Sequence, residues 1–112
     1  MELHPITDTY SVTGQIFAED LPALKAQGFK SIVCHRPDQE SADQPSFTSI
    51  KVVATGLGIE MRHIPIGPTG VTGDAVRAMV DALDEMEKPM LGYCRSGARS
   101  TAVFQQAGHL RG

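Results

Sequence analysis

The stretch Tyr93-Cys94-Arg95-Ser96-Gly97-Ala98-Arg99-Ser100 concentrates residue types that can do covalent chemistry. A cysteine directly follows a short apolar run. Four residues, Gly97 among them, separate it from Arg99, and a helical pattern begins at about Ala98. A turn of this composition can aim successive backbone N–H groups inward as an anion-binding nest, and the following helix adds its positive end. Both effects lower a thiol pKa from its free value near ~8.5, which populates the nucleophilic thiolate at neutral pH. Gly97 permits a backbone angle that a side chain forbids. Arg99 can hold an oxyanion with a two-pronged fork or brace the loop. The N–H groups of Arg95, Ser96, Gly97, Ala98 and Ser100 line the candidate cradle, and the Ser100 hydroxyl can bond the thiolate or cap the helix. The plainer alternative is a buried structural cysteine with solvent-facing arginines.

A second polar segment, His35-Arg36-Pro37-Asp38-Gln39-Glu40, leaves another apolar run. Arg36 can bind an anionic donor, and Asp38 can orient Arg36 or Arg95. A loop ion pair, or a turn after Pro37, explains the same residues without function. Cys34 ends that run and is either a small buried hydrophobe or a partner for a reversible disulfide with Cys94. His35 borders the expected pocket and can contact substrate. His63 falls within a strand, packed or turned to solvent, while His4 and His109 lie near the ends. No histidine or cysteine pair has metal-ligand spacing, so neither a metal nor another cofactor is expected.

These segments are carried by alternating strand and helix patterns. Ile6 to Val12 reads as a first strand. Ala18 to Gln27 reads as a short helix with acid at its start and Gly28 after it. Phe29 to Cys34 is a buried strand. Ser46 to Thr55 can be helical, with Phe47, Ile50, Val53 and Ala54 on one side, and Met61 to Ile66 is the next strand. Thr72 or Asp74 caps an amphipathic helix whose core stripe is Val76, Met79, Val80 and Leu83. Met90 to Tyr93 is a last strand, and a helix runs from about Ala98 to the end. The pattern predicts an α/β fold, an open and mostly parallel central sheet flanked by helices, with ligands beyond the carboxyl ends of the strands.

Composition bounds the rest. The 112 residues fit one domain, 1–112, with 41% hydrophobic and 21% charged residues, which excludes a disordered chain. A net charge of −3 with no Lys/Arg cluster gives no field for nucleic acid or an anionic membrane. The two cysteines, sixty residues apart, make no disulfide framework. The first residues have neither the basic stretch nor the apolar segment of a signal peptide, so a reducing cytoplasm is the expected compartment. The chain is either a minimal domain or a piece of a longer protein.

The Cys94–Ser100 loop resembles the active-site loops of the protein tyrosine phosphatase and rhodanese folds. With Ile6-Thr7-Asp8, Val12-Thr13-Gly14-Gln15-Ile16, Arg36-Pro37-Asp38 and Arg62-His63-Ile64-Pro65, it resembles the β-lactamase hydrolase-like family of small phosphatase-like domains. That resemblance implies a dual-specificity-phosphatase-like fold, often fused to a metallo-β-lactamase-type sulfur dioxygenase. Phosphatases of this kind place arginine after five intervening residues, where this chain has Ser100. The shorter loop resembles rhodaneses, whose cradle suits a persulfide sulfur. Phosphatases also protonate the leaving alkoxide with an aspartate from a separate loop. The corresponding Ile66–Thr72 contains no acid, Asp74 fits a helix's first turn, and Asp38 remains a candidate acid. The sequence therefore leads to a cysteine-dependent sulfurtransferase, taking sulfur from a small anionic donor onto Cys94 and passing it to a thiol or cyanide. A tyrosine or dual-specificity-like phosphatase acting through phosphocysteine and a non-catalytic anion-binding module are the alternatives.

Overall fold

The structure is a computed structural model that describes residues 1–111. Five strands, β1 (His4–Pro5), β2 (Tyr10–Thr13), β3 (Ser31–Cys34), β4 (Glu60–His63) and β5 (Met90–Tyr93), form one sheet in the order β1-β2-β5-β3-β4. Only the β1–β2 pair is antiparallel; β5 lies between β2 and β3, parallel to both, and β4 pairs parallel with β3. The helices are α1 (Leu21–Ala26), preceded by a 3₁₀ turn at Ala18–Asp20, α2 (Phe47–Gly56), α3 (Gly73–Glu85) and α4 (Ala98–Arg111). The fold is α/β with a mostly parallel sheet flanked by helices.

Side chains alternate across the strands, so the sheet serves two cores. Tyr10, Val12, Val33 and Met90 face Met79 and Leu83 of α3 and Val103 and Ala107 of α4. Ile32, Cys34, Leu91 and Tyr93 face Leu21 and Leu24 of α1 and Ile50 and Ala54 of α2. Burial on both faces explains why β3 and β5 read as continuous apolar runs. Each fully buried aliphatic side chain contributes about 1.5–3 kcal/mol by leaving water.

Local chemistry sets the helix ends. Ser46 Oγ accepts from the Ser49 N–H at 3.1 Å at the start of α2. Thr72 Oγ1 accepts from the Ala75 N–H at 3.2 Å, so Thr72 is the N-cap of α3, and Asp74 sits in the first turn paired with Arg77. Pro22 occupies the start of α1, where its missing N–H leaves no gap.

Three details depart from the sequence reading. The expected first strand, Ile6 to Val12, is a narrow hairpin, because the N–H groups of Ile6 and Thr7 both fold back onto the Tyr10 carbonyl. The buried stripe of α3 is Ala75, Met79, Ala82 and Leu83; Val76 and Val80 are half-buried on its flank. On α2, Ile50 and Ala54 are buried, whereas Val53 faces outward.

Because β2, β3, β4 and β5 run the same way, their exits gather at one edge. The ladder continues one step past the strands: His35 N–H donates to the Tyr93 carbonyl at 2.8 Å, and Ile64 N–H to that of Cys34 at 2.9 Å. Cys94 N–H donates to the Thr13 carbonyl at 3.4 Å. The start of the Cys94 loop is thus laced to strands on both sides. Among the described residues, no helix is long and apolar enough to cross a membrane.

Candidate active site

Cys94 lies at the exit of β5, fully enclosed, and its Sγ accepts a hydrogen bond from the Gly97 N–H at 3.0 Å. Gly97 has φ of +93°, the left-handed region that lets the loop turn its amide inward. Burial pushes the thiol pKa up. The N–H groups of Ser100 and Ser96, the Ser100 hydroxyl and the Gly97 N–H outweigh it and hold the thiol below its ordinary range. Among the described residues, the buried Ser100 Oγ has no partner within ordinary hydrogen-bond geometry, so it acts on the sulfur as a nearby dipole rather than through a formed bond. Arg95 and Ser96 form the exposed rim of the loop, and Ser96 Oγ accepts from the Ala98 N–H at 3.4 Å.

Two glycines shape the surroundings. A Cβ on Gly14 would stand 3.0 Å from the Arg95 carbonyl oxygen, so β2 can approach the loop closely only without a side chain there. A Cβ on Gly92 would overlap the Tyr10 hydroxyl. That hydroxyl is buried beneath the loop and donates to the Ser100 carbonyl at 3.0 Å, tying β2 to the first turn of α4.

Arg99 turns toward the segment leaving β3. Its Nη1 donates to Glu40 Oε2 at 2.8 Å and to the Ile66 carbonyl at 2.9 Å, and its Nη2 donates to Glu40 Oε1 at 3.1 Å. Arg36 is buried and donates from Nε to Glu40 Oε1 at 3.0 Å and from Nη1 to Gln15 Oε1 at 3.1 Å. Asp38 belongs elsewhere. Its Oδ1 accepts from the Phe47 N–H at 2.9 Å at the start of α2, and it pairs with neither Arg36 nor Arg95 among the described residues. The loop and Arg36 are therefore brought together, and Asp38 is not. Glu40 and Gln15 join the cluster without having been singled out from sequence. The available signal was the i,i+4 spacing of Arg36 and Glu40 in a segment leaving a strand end.

Cys34 and Tyr93 are register partners, so Cys94, one residue on, is directed to the other face. Cys34 Sγ donates to the Arg36 carbonyl at 3.4 Å, and burial pushes its thiol up to about 11. Both cysteines are free, and this geometry places no Cys34–Cys94 bridge. His35 is buried beside the loop, while His63 stacks on Phe47 and bonds the Arg36 carbonyl at 2.9 Å. Among the described residues, no three His, Cys, Asp or Glu side chains cluster as metal ligands. No carboxylate lies in Ile66–Thr72, and Asp74 is engaged with Arg77 at the surface.

The family model described as beta-lactamase hydrolase-like protein, phosphatase-like domain, matches residues 2–109. The chain belongs to this family. A beta-lactamase hydrolase-like protein of Agrobacterium fabrum is 34% identical over 99 residues, 88% of this chain but 23% of that protein. The chain thus spans about a quarter of the length of the curated relatives it matches. Among solved structures, a protein of Neisseria meningitidis provisionally described as a phosphatase matches with a TM-score of 0.83 at 26% identity, over 90% of this chain and 72% of that one. Another provisionally described phosphatase, from Shewanella putrefaciens, has a TM-score of 0.84 at 20% identity, over 97% and 68%, and bears on the fold alone. This phosphatase-like domain thus shares the α/β scaffold of these proteins, with Cys94 at the exit of β5 and α4 following its loop.

Proposed function

We propose that this domain is a cysteine-dependent enzyme in which Cys94 attacks an anionic substrate and carries the transferred group, and that this group is sulfane sulfur. The observation that carries the reading is the enclosed thiol, held below its ordinary pKa by main-chain amides despite full burial. The choice of sulfur rests on the four residues between Cys94 and Arg99 and on the absence of a carboxylate from Ile66–Thr72. With thiosulfate as donor, the Cys94 thiolate attacks the outer sulfur, the S–S bond breaks, and sulfite leaves with the electron pair. The resulting cysteine persulfide, stabilised by the loop amides, passes its outer sulfur to a thiol or cyanide. No proton is needed by the leaving group, so no general acid is needed.

Phosphoryl transfer is the second reading, and the comparisons favour it over sulfur transfer. The family description names a phosphatase-like domain, and the Neisseria protein is provisionally described as a phosphatase. Here Cys94 would form a phosphocysteine that water hydrolyses. With no carboxylate in Ile66–Thr72 and Glu40 held charged by Arg99, it would lack a general acid worth roughly 10²–10⁴ in rate and would be limited to esters whose alcohol leaves as a stable anion. We extend the proposal to a partner, a metallo-β-lactamase-type sulfur dioxygenase, fused or separate, that consumes the persulfide.

One experiment separates the readings. Reduced protein is incubated with thiosulfate, and intact mass is read for one added sulfur that Cys94→Ser abolishes, with hydrolysis of an aryl phosphate assayed alongside. Sulfur loading supports the first reading. Phosphate release without loading supports the second, and neither activity leaves an anion-binding module.

A further inference from the structure

Glu40 sits among the residues of the site without touching the nucleophile. It lies in the segment 35–46 that leaves β3, and its carboxylate accepts three charge-assisted hydrogen bonds from two arginines. The bonds from Arg99, and then that from Arg36, hold its carboxyl below the ordinary range, so it is charged at neutral pH.

A guanidinium has five N–H donors. Arg99 uses three: both of Nη1, on Glu40 and the Ile66 carbonyl, and one of Nη2, on Glu40. The two left are Nε–H and the second Nη2–H. They lie side by side on one edge and match two oxygens borne by one central atom. The charges matter equally. The Cys94 thiolate, Glu40, Arg36 and Arg99 cancel, so an incoming anion meets a site whose two arginines are already neutralised.

We propose that Glu40 is a positioning residue of the Cys94 site: it fixes Arg99 so that the Nε–Nη2 edge alone is offered to the substrate, and it does so at the expense of anion affinity. The substrate is then an anion with at least two oxygens on its sulfur or phosphorus, such as a thiosulfonate, thiosulfate or phosphoryl group, rather than a polysulfide. This inference rests on the reading of Cys94 as a nucleophile toward anions. Replacing the carboxylate by an amide has two opposed effects. Removing a negative charge beside two arginines tightens anion binding. Releasing the guanidinium spoils its alignment with the bound group, and misplacement by about 1 Å costs on the order of 10²-fold in rate. A residue that only held the fold together would weaken binding and transfer together.

The test compares wild type with Glu40→Gln, Glu40→Asp and Glu40→Gln in an Arg99→Ala background. Inorganic sulfate is the binding probe, read as protection of Cys94 from iodoacetamide. Sulfur loading from thiosulfate and aryl phosphate hydrolysis are the transfer readouts. Glu40→Gln is expected to bind sulfate about fivefold tighter and to transfer at least about tenfold more slowly. Glu40→Asp keeps the charge and is expected to hold wild-type sulfate affinity while transferring more slowly. With Arg99 already removed, Glu40→Gln is expected to cause no further slowing. Sulfate binding that is unchanged or weaker in Glu40→Gln overturns the proposal, as does slowing that persists without Arg99. If wild type neither loads sulfur nor hydrolyses the ester, the nucleophile reading fails and the positioning role falls with it, while the sulfate arm still tests whether Glu40 lowers anion affinity.

Discussion

Protonation of His35 is expected to govern the acid limb of this protein's stability. The imidazole is fully buried; Nδ1 lies 2.9 Å from the Ile64 carbonyl, and Nε2 has no partner among the described residues. The tautomer that donates from Nδ1 therefore leaves a bare acceptor at Nε2. Burial, with a smaller push from nearby His63, lowers the pKa from 6.5 to about 4 against the opposing bond to Ile64. Between those two values the unfolded chain binds more protons than the folded one, so folding weakens as pH falls. At about 1.36 kcal/mol per unit, the whole shift corresponds to about 3 kcal/mol, of which about 2 kcal/mol is lost between roughly pH 6.5 and 4.5. The assay is urea unfolding across this range for wild type and His35→Asn, whose amide can donate to the Ile64 carbonyl but does not titrate. Glu40, held low by Arg99, contributes its own loss at lower pH in both proteins and cancels in the comparison. Wild type is expected to lose about 2 kcal/mol more than the variant. Stability curves that run parallel over this interval would refute the assignment.

Alkylation of Cys94 by iodoacetamide should follow a thiolate midpoint below the free-cysteine value of about 8.5, and Ser100→Ala should move that midpoint upward by removing the hydroxyl dipole. A midpoint at or above the free value in wild type would contradict the cradle. Gly92→Ala should destabilise the fold by several kcal/mol, on the order of ~3, because the new methyl overlaps the Tyr10 hydroxyl. Tyr10→Phe should recover part of that loss in the double variant, and thermal unfolding reads both effects.

Much of the framework could be read from residue order. The period-2 and helical patterns, the Thr72 cap and the glycine stops are local, and local signals survive in sequence. The Cys94–Gly97 turn and the start of α4 at Ala98 were legible for the same reason. The narrow β1–β2 hairpin was not, because its bonds converge on one carbonyl rather than forming a regular ladder. Glu40 escaped notice because its partner lies 59 residues away and meets it only once the strand order is known. Tyr10 reads as an ordinary strand aromatic, and its contact with Ser100 spans 90 residues. Asp38 was legible as a loop acid, but its bond to the Phe47 amide depends on how the loop folds back. Loop length and the missing acid pointed to sulfur, whereas the family is described as phosphatase-like and the Neisseria relative provisionally as a phosphatase.

Holding β5 between two parallel neighbours separates two properties that enzymes often must adjust together. The acidity of the sulfur depends on main-chain amides anchored to the middle of the sheet. The side chains that surround the loop come in part from the excursion between β3 and α2, which carries Arg36 and Glu40. A graft of residues 37–45 from another member of the family, keeping the buried His35 and Arg36 and the Ser46 cap, should therefore change what the site accepts while leaving the main-chain amides around the thiol in place.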